Sequence, residues 1–130
     1  MPFRQIGGIV MAKILIVDDS MTSKKFLRTM LERAGCEIIG EASDGQEGVD
    51  KYKELKPDVV TMDITMPIKN GIEALEEIIA YDSNAKVVMV TAAGQNTNIV
   101  EALKLGAADF IQKPFEVERI AAVIKKVLEK

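Results

Sequence analysis

The sequence predicts an α/β domain, a doubly wound, five-stranded parallel sheet with five helices. Short apolar runs of strand length alternate with segments of helical periodicity five times along the chain. Parallel neighbours need crossover helices, and right-handed crossovers place those helices on both faces of the sheet. The length, 130 residues, suits one compact domain, and a chain 48% apolar and 28% charged can bury a core.

The elements follow in order. KILIV (13–17) is a continuous apolar run, short enough for a fully buried strand. SMTSKKFLRTMLERAG puts Phe26, Leu27, Met30, Leu31 and Ala34 on one helical face and stops at Gly35. EIIGEA (37–42) is a weaker strand, and 46–55 a short helix. DVVTMD (58–63), introduced by Pro57, is the third strand, and GIEALEEIIAYD the third helix. KVVMVT (86–91) and DFIQK (109–113) are the last two strands, separated by a helix over 97–105 that ends at Gly106. A fifth helix, 116–128, carries Val117, Ile120, Ala121, Ile124 and Leu128 as its core stripe. Asp44-Gly45 and Asn70-Gly71 would signal hairpins between alternating strands, but both precede helical patterns and read as helix-entry loops.

Several classes fall away. A net charge of −3 offers no nucleic-acid footprint, and the longest apolar runs are too short to cross a bilayer. The opening MPFRQIGGIVMA has Arg4 followed by a short, glycine-interrupted apolar patch, and Lys13 follows without a small-residue cleavage site. Residues 1–10 are therefore expected to be a flexible extension, with the domain over 11–130. Cys36 is the only cysteine, which excludes an intramolecular disulfide and fits a reducing, cytoplasmic setting. It follows a glycine stop and begins a strand, a poor place for a reactive thiol.

In such sheets the working site lies beyond the carboxyl ends of the strands. Those ends carry Asp18-Asp19, Asp63, Thr91 and Lys113. Each has an ordinary explanation. Asp18 or Asp19 can cap the first helix, and Asp63 can bind nearby N–H groups in a turn. Thr91 can be a β-branched strand residue and Lys113 a surface lysine before a proline. Together they put three carboxylates, a hydroxyl and an ammonium on one rim, an arrangement costly to fold unless a cation neutralises the acids. Carboxylate oxygens with room for water suit Mg²⁺, or Mn²⁺ in its place. Asp63 can then act as a nucleophile giving an acyl phosphate, with Mg²⁺, Lys113 and Thr91 suited to the three phosphoryl oxygens.

VDD (17–19), TMDITMP (61–67), VTAAG (90–94) and KPF (113–115), in this order and spacing, resemble the response-regulator receiver domains. The likeness covers 12–130 and points most of all to single-domain chemotaxis regulators of the CheY type. It implies a flavodoxin-like strand order 2-1-3-4-5. It also implies Asp63 as phosphoacceptor, with Mg²⁺ held by Asp18, Asp19, Asp63 and the backbone carbonyl of Thr65. Thr91 becomes the switch hydroxyl, Lys113 the phosphoryl-binding lysine in a cis bond to Pro114, and Phe110 the switch aromatic. Many chemotaxis relatives have tyrosine at that last position, so a hydroxyl contact with the partner is missing here. Thr65 and Ala93 fall where the family tunes hydrolysis of the acyl phosphate, and small Ala92 leaves access to the site.

The chain has no histidine, so it cannot carry a phosphohistidine. The phosphoryl group is expected from a histidine kinase or a small-molecule donor. With the chain ending after the fifth helix, output is expected through phospho-dependent binding of a partner, for instance a flagellar switch. No nucleic acid or membrane is expected as a partner, and the unphosphorylated protein is expected to be a monomer. The expected conformational change moves Thr91 toward the phosphoryl group, turns Phe110 inward, and reshapes the face of helix four, strand five and helix five. Val100 and Leu105, or Val123 and Val127, are the expected exposed apolar residues there. Beyond its own phosphoryl transfer and autodephosphorylation no enzyme activity is expected. Rivals are a phosphorelay intermediate serving a histidine phosphotransfer domain, a Mg-dependent phosphohydrolase, and flavodoxin-type electron transfer. The phosphohydrolase wants DxDxT after the first strand, where this chain has DDSMT. The flavodoxin wants a phosphate-cradling loop and stacking aromatics, and this chain has no Trp.

Overall fold

The computed structural model describes residues 5–6, 9–92 and 96–129. Five strands form one parallel sheet: β1 (Lys13–Val17), β2 (Glu37–Ala42), β3 (Val59–Asp63), β4 (Val87–Thr91) and β5 (Asp109–Gln112), in spatial order β2-β1-β3-β4-β5. Five helices connect or follow them: α1 (Met21–Arg33), α2 (Gly45–Leu55), α3 (Gly71–Tyr81), α4 (Asn96–Leu105) and α5 (Val117–Leu128). This is the 2-1-3-4-5 order. A separate two-residue pair, Gln5–Ile6 with Ile9–Val10, lies antiparallel near the N-terminus. Among the described residues no helix is long and apolar enough to cross a membrane.

The continuous apolar runs are explained by two cores, one on each face. Side chains alternate across a strand, so Leu15, Val17, Val60, Met62 and Met89 face α2, α3 and α4. Ile14, Ile16, Val59, Val88 and Val90 face α1 and α5. The central strands are covered on both sides, whereas edge strand β2 is only half-buried along most of its length, which accounts for its weaker pattern.

Helix ends follow local chemistry. Asp44 and Asn70 cap α2 and α3 through their side chains, and Glu73 returns to the Asn70 N–H to complete a capping box. The DG and NG pairs are therefore helix entries. Gly35 and Gly106 adopt positive φ after α1 and α4, where the periodicity stops. The Lys113–Pro114 bond is cis.

Two face assignments change. Helix α5 buries Ile120, Val123, Ile124 and Val127; Val117 and Leu128 pack partly buried against the same core as expected, whereas Ala121 is only half-buried and outside it. Val123 and Val127 are thus core residues and not surface ones. Leu105 is half-buried against the α2–α4 core, and of the four expected surface apolars only Val100 is exposed. Phe26 is 44% exposed and touches Phe115 edge-on, with ring centroids 5.5 Å apart. Cys36 is buried just ahead of β2, and burial pushes its thiol up to about 11, so it is a packing residue.

Candidate functional site

The carboxyl ends of β1 and β3 bring Asp18, Asp19 and Asp63 together, with one ligand oxygen from each lying within 4.8 Å of the others. Asp18 is buried, Asp63 half-buried and Asp19 exposed. The Asp18 N–H bonds the Ala42 carbonyl at 3.0 Å, which extends the sheet by one residue and aims the side chain over the rim. Its Oδ1 accepts from the Ser20 N–H at 2.9 Å. Its Oδ2 is buried without a hydrogen-bond partner among the described residues and lies 3.7 Å from Lys113 Nζ.

Neither aspartate caps α1. Ser20 does, accepting the Ser23 N–H on its hydroxyl at 3.1 Å, which leaves Asp18 and Asp19 to the cluster. Lys113 follows β5, where its N–H bonds the Thr91 carbonyl at 2.8 Å. Its ammonium bonds the Ser23 hydroxyl at 3.0 Å. Neither serine is singled out by the sequence pattern at the strand ends. Ser20 was visible as a cap candidate directly before the helical pattern, whereas Ser23 gave no local signal.

Thr91 ends β4 one residue past Val90, the cross-strand partner of Asp63. It is fully buried, and among the described residues its hydroxyl has no hydrogen-bond partner. A buried hydroxyl without a partner is costly, and sites poised for a ligand carry such groups. The Thr61 hydroxyl, two residues before Asp63, is in the same condition. Phe110 sits half-buried on β5 against the α2–α4 core, and Thr65 is exposed in the loop after β3. Ala93 lies outside the described residues.

That loop is held by backbone contacts. The Gly71 N–H bonds the Ile64 carbonyl at 2.8 Å, and a Cβ on Gly71 would lie 2.1 Å from the Asp63 carbonyl oxygen. Only a residue without a side chain lets α3 start this close to Asp63. Ile68, at the loop's tip, is 84% exposed with φ 68°.

Electrostatics follow from the crowding. Burial, and next the charge of Asp18, push the Asp63 carboxyl up to about 6; Lys113 and the Ile64 N–H pull against this. The donor set fits a hard divalent ion. Its atoms are all carboxylate oxygens, and oxygens on opposite sides of Mg²⁺ stand about 4.2 Å apart, close to the spread seen here; Asp18 also keeps one buried oxygen without a hydrogen-bond partner among the described residues.

Comparison with known proteins places the chain by sequence and by fold. Residues 14–125 match the response regulator receiver domain family. The chemotaxis protein CheY of Thermotoga maritima is 50% identical over 115 residues, covering 88% of this chain and 96% of that protein. Protein CcdB of Bacillus subtilis is 48% identical over 118 residues, covering 91% and 98%. Among solved structures, a CheX–CheY–BeF₃–Mg²⁺ complex from Borrelia burgdorferi superposes with a TM-score of 0.86 at 39% identity, over 95% of this chain and 92% of that one. The chain belongs to the response-regulator receiver domain family of two-component systems.

Proposed function

We propose that Asp63 accepts a phosphoryl group and that the protein signals through the face this event reshapes. The carrying observation is the cluster itself: three aspartates within 4.8 Å, beside a lysine 3.7 Å from Asp18. Receiver domains are signalling modules, and the relatives named CheY favour chemotaxis as the pathway. The donor is a histidine kinase in the cytoplasm, and the output is a protein partner, a flagellar switch component among the candidates.

In the transfer, an Asp63 carboxylate oxygen forms a bond to phosphorus. The bond from phosphorus to the donor's imidazole nitrogen breaks, and its electron pair leaves with that nitrogen. Asp63 must be ionised to attack, and with its carboxyl near 6 it is mostly so at pH 7.5. Asp18, Asp19, Asp63 and the Thr65 carbonyl would hold Mg²⁺, or Mn²⁺, which when bound supplies positive charge to the acids and the phosphoryl oxygens. Lys113 meets a phosphoryl oxygen with its ammonium, and the Thr91 hydroxyl gains the partner it lacks. Thr65 and Ala93 are the positions whose side chains would tune how fast the acyl phosphate hydrolyses.

Output is a population shift between two packings. As Thr91 turns to the phosphoryl group, Phe110 moves further into the space it leaves. The surface that changes runs from α4, where Val100 and Leu103 are exposed, to a groove of about 500 Å³ between β5 and α5. That groove is lined by Phe110, Gln112, Pro114, Glu118 and Arg119 among others. The test is incubation with acetyl phosphate and Mg²⁺, where the donor's leaving atom is a carboxylate oxygen. The unaltered chain gains one phosphoryl group and Asp63→Asn gains none; equal labelling of the two would remove Asp63 from the role.

A further inference from the structure

Four contacts close a ring beside the carboxylate cluster. Asp18 Oδ1 accepts from the Ser20 N–H at 2.9 Å, and the Ser20 hydroxyl accepts from the Ser23 N–H at 3.1 Å. The Ser23 hydroxyl accepts from Lys113 Nζ at 3.0 Å, and that ammonium stands 3.7 Å from Asp18 Oδ2. The ring joins residues 90 positions apart in sequence through one side-chain hydrogen bond.

The last two distances differ in kind. At 3.7 Å the ammonium and the Asp18 carboxylate attract as charges but share no hydrogen bond. The hydrogen bond goes to Ser23. The Lys113 side chain is one-third exposed, so water competes for the ammonium, and a lysine stem has many rotamers that would deliver it there. Ser23 itself has little freedom. It occupies the first turn of α1, and its N–H is already tied to the helix cap.

Resting on the phosphoacceptor reading above, we propose that Ser23 is a positioning residue for Lys113. Its hydroxyl holds the ammonium at the rim of the aspartate cluster, within reach of an arriving phosphoryl oxygen and short of a close ion pair with Asp18 that would occupy it. Ser23 touches neither the phosphoryl group nor the carboxylates, and its effect passes through the lysine. Preorganisation of a charge at the reacting centre acts on the rate of transfer, because the ammonium need not be collected from solvent in each event.

The experiment compares the full chain with Ser23→Ala and Ser23→Thr. Phosphoryl uptake from acetyl phosphate is followed at fixed Mg²⁺, and Mg²⁺ affinity is measured separately by calorimetric titration of the unphosphorylated proteins. Alanine suits a helical first turn, so each variant is first confirmed to melt within a few degrees of the parent. Uptake by Ser23→Ala is expected to slow about tenfold, the loss of a hydrogen bond to a charged group. Ser23→Thr, which keeps a hydroxyl, is expected within about threefold of the parent, and Mg²⁺ affinity within about twofold throughout. Three results would each overturn the proposal while leaving Asp63 as phosphoacceptor: parental uptake by Ser23→Ala, a threonine variant as slow as the alanine one, or Mg²⁺ affinity falling in step with uptake. Failure of the unaltered chain to take up phosphoryl groups would instead overturn the phosphoacceptor reading, and this one with it.

Discussion

The two ends of the sheet use the same residue type in opposite ways. At the amino ends, Asp58 accepts the Lys13 N–H at 2.8 Å, and Asp82 accepts both the Tyr52 hydroxyl at 2.8 Å and the Asn84 N–H at 3.0 Å. These carboxylates tie strands and helices together and keep partners for their oxygens. At the carboxyl ends, Asp18, Asp19 and Asp63 crowd one another, and Asp18 Oδ2 and the Thr91 hydroxyl are buried without hydrogen bonds. One end is chemically satisfied and the other is held under tension by the fold around it. Stability and readiness to react are thus separated along the strand axis, and removing a polar group should differ in sign between the two ends.

The largest expected effect is structural and lies at the reactive end. A methyl group at Gly71 would meet the Asp63 carbonyl oxygen at 2.1 Å, and the obstacle is backbone that cannot swing aside. Gly71→Ala should cost about 3 kcal/mol or more in urea unfolding and displace Asp63 enough to impair phosphoryl uptake. A variant with unchanged midpoint would mean that α3 is not anchored on Asp63.

Next comes a change expected to stabilise. The Asp63 carboxyl is raised to about 6 in the fold from an ordinary 3.8, so the folded protein holds that proton more tightly than the unfolded chain. The associated stability is fully present below about pH 4 and is lost as pH rises through 6. Without divalent ions at pH 7.5, Asp63→Asn should therefore be more stable than the parent, by about 1–2 kcal/mol once solvent screening of the half-buried carboxylate is allowed for, and the gain should shrink toward zero at pH 4. Mg²⁺ at a hundred times its dissociation constant should restore about 2.7 kcal/mol to the parent and less to the variant. Equal melting of the two proteins from pH 4 to 8 would deny that the cluster is under electrostatic tension.

At the satisfied end the sign reverses. Tyr52→Phe removes a hydrogen bond to a carboxylate and should cost about 1.5 kcal/mol, by the same amount with or without Mg²⁺. A Mg²⁺-dependent cost would couple the two ends and break the separation drawn above.

How far the sequence discloses this depends on the range of each interaction. The strands were legible because burial on both faces forces continuous apolar runs such as Val59–Met62 and Val87–Val90. Helix entries at Asp44 and Asn70 were legible because capping is a three-residue affair. The cap of α1 was not, since Asp18, Asp19 and Ser20 are consecutive and all competent, and only the sheet's geometry selects Ser20. On α5, apolar residues cover enough of the circumference for two stripes to fit. Packing against α1 and β5 buries Val123 and Val127, leaves Ala121 half-buried and keeps Leu128 partly buried at the margin of the same core. The acids at the strand ends could be found because topology alone gathers them. The Ser23–Lys113 contact joins α1 to the end of β5 and has no counterpart in local pattern.

The smallest expected effect tests whether the loop over the reactive end stores strain of its own. Ile68 is β-branched, almost wholly exposed and left-handed, at φ 68°, a conformation that crowds its Cβ against the backbone. Nothing in its burial compensates, because the side chain packs against little. Ile68→Gly relieves the crowding but adds freedom to the unfolded chain, so the net gain should be only about 0.5–1 kcal/mol. The gain should appear equally with and without Mg²⁺, because the strain is in the backbone and not in the aspartate cluster. A loss of stability on this substitution would show that the isoleucine side chain restrains the loop, and would move Ile68 from the strained parts of the reactive end to the parts that hold it in place.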